Sequence, residues 1–393
     1  MAAAAAPPPL RVVSLLASAT DTVVALGLAH LLVGRSHECD APEAAHVPAI
    51  TDSKLGDTAG LSSEEVDAAA GASGAALWQV AFMPGADTRA LAALEWGTPS
   101  CRHASCVALT RLLRTAGLAV YRTRLDALAA LRPDVVLTQV QASSGALCVA
   151  DAQTSLRALC GGAPVRLVQL DAESLDAAWA EVAAVGAALG AAAKGEALAG
   201  WCRARVSAVA SAARGRGPPR RVAVVQWAAP LFAAGGWVPE LVRAAGGVDA
   251  CAVPPGGASL ALQPQQLADA APDVLLLAIC GVGVEAAAKE APALAAALGA
   301  DAWAALPAVR RGAVVAADAV RLFSRAGPAL ADTAELLLEV LWPEAQPHGH
   351  EGSAWRRVAV DADALERQNQ ASAADSSAQA SRERAADREL AYV

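Results

Sequence analysis

Leu131-Arg132-Pro133-Asp134-Val135-Val136-Leu137 and Ala270-Ala271-Pro272-Asp273-Val274-Leu275-Leu276 are two copies of one pattern. Each reads as a helix end, a Pro-Asp turn and a buried strand. Proline cannot continue the helix, aspartate favours the turn, and a short apolar run suits a strand covered on both faces. A pattern that recurs once in each half of the chain points to duplicated architecture: two α/β lobes.

Working outward, the first lobe is read over residues 10–170. Residues 12–16 form a strand, 17–21 a turn, and 22–28 a helix ended by Gly27, with Ser18 or Thr20 as its cap. Residues 32–34, 135–138 and 165–170 are further strands. Residues 71–109 break this rhythm and read as an insertion. The second lobe spans residues 217–360, with strands at 221–226, 274–279 and 313–317 and helices at 239–245, 262–270 and 329–341. Strands alternating with helices argue for parallel sheets. Residues 171–216 link the lobes through helices at 174–189 and 193–213. The second carries an apolar stripe of Leu198, Cys202, Val206 and Val209. Some twenty residues span roughly 30 Å, enough to bridge two lobes. Residues 1–9 and 361–393 hold few large apolar groups and read as disordered ends.

The chain has 393 residues and a net charge of −8, which disfavours a protein that grips a nucleic-acid backbone. No apolar run reaches membrane-spanning length, so no membrane insertion is expected. The first basic residue, Arg11, follows the apolar start, the wrong order for a secretory signal. This predicts a cytoplasmic monomer. Eight scattered cysteines then read as free thiols rather than a disulfide framework. No nucleophile elbow, phosphate loop or dinucleotide fingerprint is present in its proper context, so a catalyst is not expected.

The chain resembles the substrate-binding proteins of the cobalamin and ferric-siderophore type, the helical-backbone metal receptors. The motifs that carry the likeness are Arg11-Val12-Val13-Ser14-Leu15-Leu16-Ala17-Ser18-Ala19-Thr20-Asp21, Val33-Gly34-Arg35-Ser36-His37-Glu38-Cys39-Asp40, Gln226-Trp227, Gly235-Gly236-Trp237-Val238-Pro239, Cys280-Gly281 and Phe323-Ser324-Arg325-Ala326-Gly327-Pro328. The resemblance implies two Rossmann-like lobes joined by one long helix, with a small molecule between them: a corrinoid such as cobalamin, a haem-like ring or another metal chelate. The chain departs from the family in having Ala17 where proline is common and a longer loop between Gln139-Val140-Gln141 and Cys148. With no secretion signal read, a transporter partner does not carry over.

Candidate contacts follow, each with a plainer alternative. Backbone N–H groups around Ser18 and Thr20 could hold an anionic group, or the segment is simply a helix cap. His37, Glu38, Cys39 and Asp40 are dense in metal-capable groups. On an extended segment His37 and Cys39 share a side, making them the weak metal candidates, or the stretch is a polar loop of the cleft wall. Cys148 and Cys280 fall near strand ends in opposite lobes and could meet Cys39 in a soft-metal site, or pack as small apolar groups. Cys101, His103 and Cys106 read as a chance cluster. Gln139 and Gln141 follow a strand. Trp227 and Trp237 flank Gly235 and Gly236 and could face a flat ring, or belong to the core. Arg325, with Phe323, could clamp acidic side groups of a tetrapyrrole, or form an ion pair. Two further readings stay open: a cofactor-handling enzyme using cleft His and Cys, and a ligand-free interaction scaffold.

Overall fold

The computed structural model describes residues 8–53, 62, 64, 65, 121–139, 164–345 and 347–359. The insertion, Gln141, Cys101, His103, Cys106, Cys148 and the C-terminal tail lie outside the described residues.

The strands are β1 (Val12–Ser14), β2 (Leu32–Arg35), β3 (Thr51–Ser53), β4 (Tyr121–Thr123), β5 (Val135–Thr138), β6 (Arg166–Gln169), β7 (Arg220–Trp227), β8 (Phe232–Ala233), β9 (Gly247–Asp249), β10 (Leu260–Ala261), β11 (Val274–Leu277), β12 (Val314–Ala317) and β13 (Trp355–Arg357). The α-helices are α1 (Ala17–Ala25), α2 (Leu125–Ala130), α3 (Leu175–Ala188), α4 (Ala192–Ala213), α5 (Val238–Ala244), α6 (Pro264–Ala270), α7 (Val284–Ala288), α8 (Ala291–Leu298), α9 (Ala300–Ala305), α10 (Pro307–Arg310), α11 (Ala319–Leu322) and α12 (Leu330–Leu341).

The first lobe holds an all-parallel sheet in the order β2-β1-β5-β6. The second holds β10-β8-β7-β11-β12-β13, with β9 parallel to the start of β7. Within it β7, β11 and β12 are parallel, while β8 and β13 run antiparallel to β7 and β12.

The repeated pattern does the same work in both lobes. The Arg11 N–H donates to the Asp134 carboxylate at 2.8 Å, and the Arg221 N–H donates to Asp273 at 2.9 Å. The Arg11 Nε–H donates to the Leu131 carbonyl, as Arg221 does to Ala270. The residue before each proline, Arg132 at φ 43° and Ala271 at φ 40°, is left-handed, so both helices end on one sharp turn. Each aspartate thereby pins the incoming strand beside the one it precedes.

Alternation along the strands sorts the second lobe's core. Val222, Val224, Val274, Leu276 and Val315 face the layer of α4, α5 and α12. Ala223, Val225, Leu275, Leu277 and Val314 face α6 to α10. In the first lobe Val12, Val135 and Leu137 face one side, Val13 and Val136 the other.

The link between lobes is α4 together with α3. Val185 and Leu189, on and just after α3, are buried in the first lobe's core, while Trp179 and Val182 are buried in the second's. On α4, Cys202 and Val209 are buried in the second lobe and Leu198 touches both cores. The crossing expected of residues 193–213 alone is shared, because α3 presents its apolar side to both lobes in turn.

Candidate functional site

Elements of both lobes line a small cleft that is open to solvent. Leu16 follows β1, Ser18 lies in the first turn of α1, Gln139 follows β5, and Leu170 and Ala172 follow β6. Glu181 of α3 adds to the lining, and Trp237, Ser324 and Ala326 face it from the second lobe. In the first sheet β1 sits between β2 and β5, so the chain leaves neighbouring strands in opposite directions. A crevice opens at the carboxyl ends of such strands, and Leu16 and Gln139 stand there.

Helix α1 begins at Ala17, earlier than the sequence suggests, and its N-cap is Leu16 without a side-chain cap bond. Ser18 and Thr20 are therefore inside the helix rather than capping it. The Thr20 N–H donates to the Leu16 carbonyl at 3.1 Å, and its buried hydroxyl lies 2.9 Å from Ser14 Oγ and 3.0 Å from Cys39 Sγ. Ser18 alone of the two reaches the cleft.

Residues His37 and Glu38 form a turn, with the Cys39 N–H donating to the Ser36 carbonyl at 3.2 Å. The alternation expected of an extended segment is thereby lost. His37 Nδ1 lies 2.7 Å from the Thr51 hydroxyl, whereas Cys39 points to Thr20. Burial pushes the Cys39 thiol up. Among the described residues no group of three or more His, Cys, Asp or Glu is arranged to hold a metal ion.

Arg325 is nearly buried, and it crosses between lobes. Its Nη1 lies 2.7 Å from Asp40 Oδ1 and 3.2 Å from Asp21 Oδ2, and its Nη2–H donates to the Glu38 carbonyl at 3.1 Å. The two carboxylates respond oppositely. Burial dominates at Asp21 and raises it despite Arg325. At the more open Asp40 burial also raises, but the guanidinium bond and charge outweigh it and hold the group low.

The Trp237 indole is half-buried, packs against the second lobe's core and donates its N–H to the Phe323 carbonyl at 3.2 Å. Phe323 itself is a core residue. Trp227 lies in the core under the other face of the sheet, its indole N–H on the Ala229 carbonyl at 3.0 Å. Gly235 and Gly236 serve a loop-to-loop contact: the Gly236 N–H donates to the Gly257 carbonyl at 2.5 Å, and the Gly256 N–H to the Gly236 carbonyl at 3.0 Å. Cys280 receives the Ser324 hydroxyl on its sulfur at 3.4 Å, and Gly281 turns the chain beside it at φ 79°. Burial, with the nearby charge of Glu38, pushes the Cys280 thiol up.

Two groups escaped the sequence reading. Glu181 lines the cleft, accepts the Asp171 N–H, and is pushed by burial up to about 7. A lone acid in the apolar run Ala177-Ala178-Trp179-Ala180-Glu181-Val182 was the available signal. Asp21 closes the quoted first motif without standing out from its helix.

Among the described residues no helix is long and apolar enough to cross a membrane. No curated protein matches the chain. Solved structures do. A periplasmic heme-binding protein, RhuT from Roseiflexus sp. RS-1, is 20% identical with a TM-score of 0.55, covering 86% of this chain and 100% of that one. A periplasmic heme-binding protein from Pseudomonas aeruginosa is 20% identical at 0.57, covering 90% and 99%. The periplasmic vitamin B12-binding protein BtuF of Vibrio cholerae is 17% identical at 0.52, covering 85% and 97%. At these identities the likeness establishes the two-lobed fold. A family model described as periplasmic binding protein matches residues 118–320. The cytoplasmic placement expected above is thereby corrected, since proteins of this family are exported; charge order near the N-terminus was too weak a guide. The match spans half of the sequence, and the chain belongs to the periplasmic binding proteins, the substrate-binding components of ABC transporters rather than enzymes.

Proposed function

We propose that this chain is a receptor for a metal chelate built on a flat macrocycle, a corrinoid or haem-like ring, held between its lobes and passed to an ABC transporter. The observation that carries this reading is the cleft at the β1/β5 crevice, lined from the other lobe by a half-buried tryptophan. The contacts proposed are Ser18 and Gln139 from the first lobe and Trp237, Cys280 and Gly281 from the second, with Glu38 and Asp40 at the rim. The heme- and B12-binding neighbours support the ligand class.

The test is titration of the full chain with cyanocobalamin, haemin and a ferric siderophore, followed by tryptophan fluorescence and ligand absorbance. At least one should bind. Trp237→Ala should weaken it roughly thirtyfold, the scale of an aromatic hot spot worth about 2 kcal/mol. Trp237 also packs on the core, so Trp237→Phe, which retains most of that packing, should bind measurably better than the alanine variant. No binding of any chelate by the wild type refutes the reading.

A further inference from the structure

Among the described residues the cleft presents polar side chains from Ser18, Gln139, Glu181 and Ser324. Of these, Glu181 alone ionises near neutral pH. It stands on α3, where Ala178, Trp179, Val182 and Val185 on either side of it in sequence are buried. Its carboxyl accepts the N–H groups of Asp171 and Ala172 from the loop after β6, which fixes it at the lining beside Leu16, Leu170 and Trp237. The charge that acts on it among the described residues is that of Asp171, which favours the neutral acid. Glu240 of α5 is engaged at the start of α3, accepting the Leu175 N–H at 2.6 Å. Arg325, between the lining residues Ser324 and Ala326, is turned to Asp21 and Asp40.

A flat ring seated in this cleft covers Glu181 and removes the water left to it. Covering a carboxylate without a paired cation is costly, whereas the neutral acid tolerates it and can donate a hydrogen bond. Burial has already pushed this group up to about 7 in the empty cleft, and a ligand adds to the same effect. We infer that Glu181 is a ligand contact in its acid form: its O–H donates to an oxygen on a side arm of the macrocycle, an amide carbonyl or a carboxylate, and loading the cleft takes up one proton from solvent. The inference rests on the proposed macrocycle site and deepens it. The sign follows from linkage. Binding is strongest where Glu181 is already protonated and weakens as pH rises through its value in the empty protein.

The experiment titrates cyanocobalamin, whose arms are amides, and haemin, whose arms are carboxylates, into the full chain and into Glu181→Gln at pH 6 and pH 8. Dividing by the affinity of the variant cancels any ionisation of the ligand itself. The free wild type is about one-tenth ionised at pH 6 and about nine-tenths at pH 8, so its affinity relative to the variant should fall roughly tenfold between them. Glutamine imitates the acid, accepting from Asp171 and donating to the ligand, so the variant should overtake wild type at pH 8. Glu181→Met, with neither charge nor hydrogen bond, should show the same flat profile as glutamine but bind severalfold more weakly. A wild-type-to-glutamine ratio that is constant, or that rises with pH, overturns the inference while leaving the macrocycle site intact. So does a methionine variant as tight as the glutamine variant. Failure of both cyanocobalamin and haemin to bind the wild type at either pH refutes the macrocycle site, and the inference with it.

Discussion

Gly235→Ala tests whether the glycine turn beside Trp237 exists for the ligand or for the protein. A Cβ at Gly235 would sit 2.5 Å from the Gly257 carbonyl oxygen and closer still to backbone atoms of Ala258 and Ser259. Backbone cannot swing aside as a side-chain tip can, so the two loops must part by roughly 1 Å to restore ordinary contact. Parting them weakens the pair of bonds between Gly236, Gly256 and Gly257. Overpacking costs about 1–3 kcal/mol and each bond contributes about 1 kcal/mol, giving roughly 3 kcal/mol in all. For a cooperative unit the size of the second lobe, roughly 150 residues, that is on the order of a 6–12 °C fall in melting temperature. Gly281→Ala is the control. Nothing stands within 4 Å of its Cβ position, so only its left-handed backbone, at φ 79°, opposes the change, at about 1–2 kcal/mol. Differential scanning fluorimetry of both apo proteins decides the matter. If Gly235→Ala melts within a degree or two of wild type, the loop-to-loop role assigned to this turn is wrong.

Two other outcomes follow from the same reasoning. Glu181 titrates near 7 in the folded protein and near 4.5 unfolded, so the native state binds more protons between those values and wild-type stability should fall as pH rises through that window. Glu181→Gln, which retains an acceptor for the Asp171 N–H, should flatten this slope and gain on wild type from about pH 5 to about pH 8 in paired melts; parallel curves would show that the carboxyl is not perturbed. Asp134→Ala and Asp273→Ala each remove a charge-assisted bond to the backbone at the start of the neighbouring strand and should each cost about 1–3 kcal/mol in denaturant unfolding, whereas a loss in only one lobe would deny that the repeated turn does equal work.

The parts of the fold legible in the sequence are those dictated by local chemistry. The Pro-Asp turns announced β5 and β11, and apolar runs placed β1, β7 and β12 within a residue or two. The strands that went unread, β3, β4, β8, β9, β10 and β13, are two or three residues long and take their identity from the neighbour they pair with. The same division holds at the cleft. Trp237 was legible because its glycine neighbours and aromatic ring stand out, whereas the reason for those glycines lies in residues 257–259, far along the chain. His37 and Cys39 were expected to share a side because no local signal marked the turn from Ser36 to Cys39. Asp21 and Asp40 matter because a distant arginine meets them, and no spacing rule encodes that encounter.

Strand β13 carries a consequence for how the chain leaves the ribosome. Trp355 is only 2% exposed, its indole N–H donates to Glu339 at 2.9 Å, and its strand covers the edge of β12. Glu339 also receives the backbone N–H groups of His348, Gly349 and His350. Until these residues emerge, α12 carries a carboxylate in a half-built apolar layer and β12 offers an open ladder to any passing strand. The second lobe therefore cannot reach its final stability during synthesis of the preceding helices. A nascent chain stalled or clipped before Trp355 would be a client for chaperones and proteases even though nearly all of its sheet is already made.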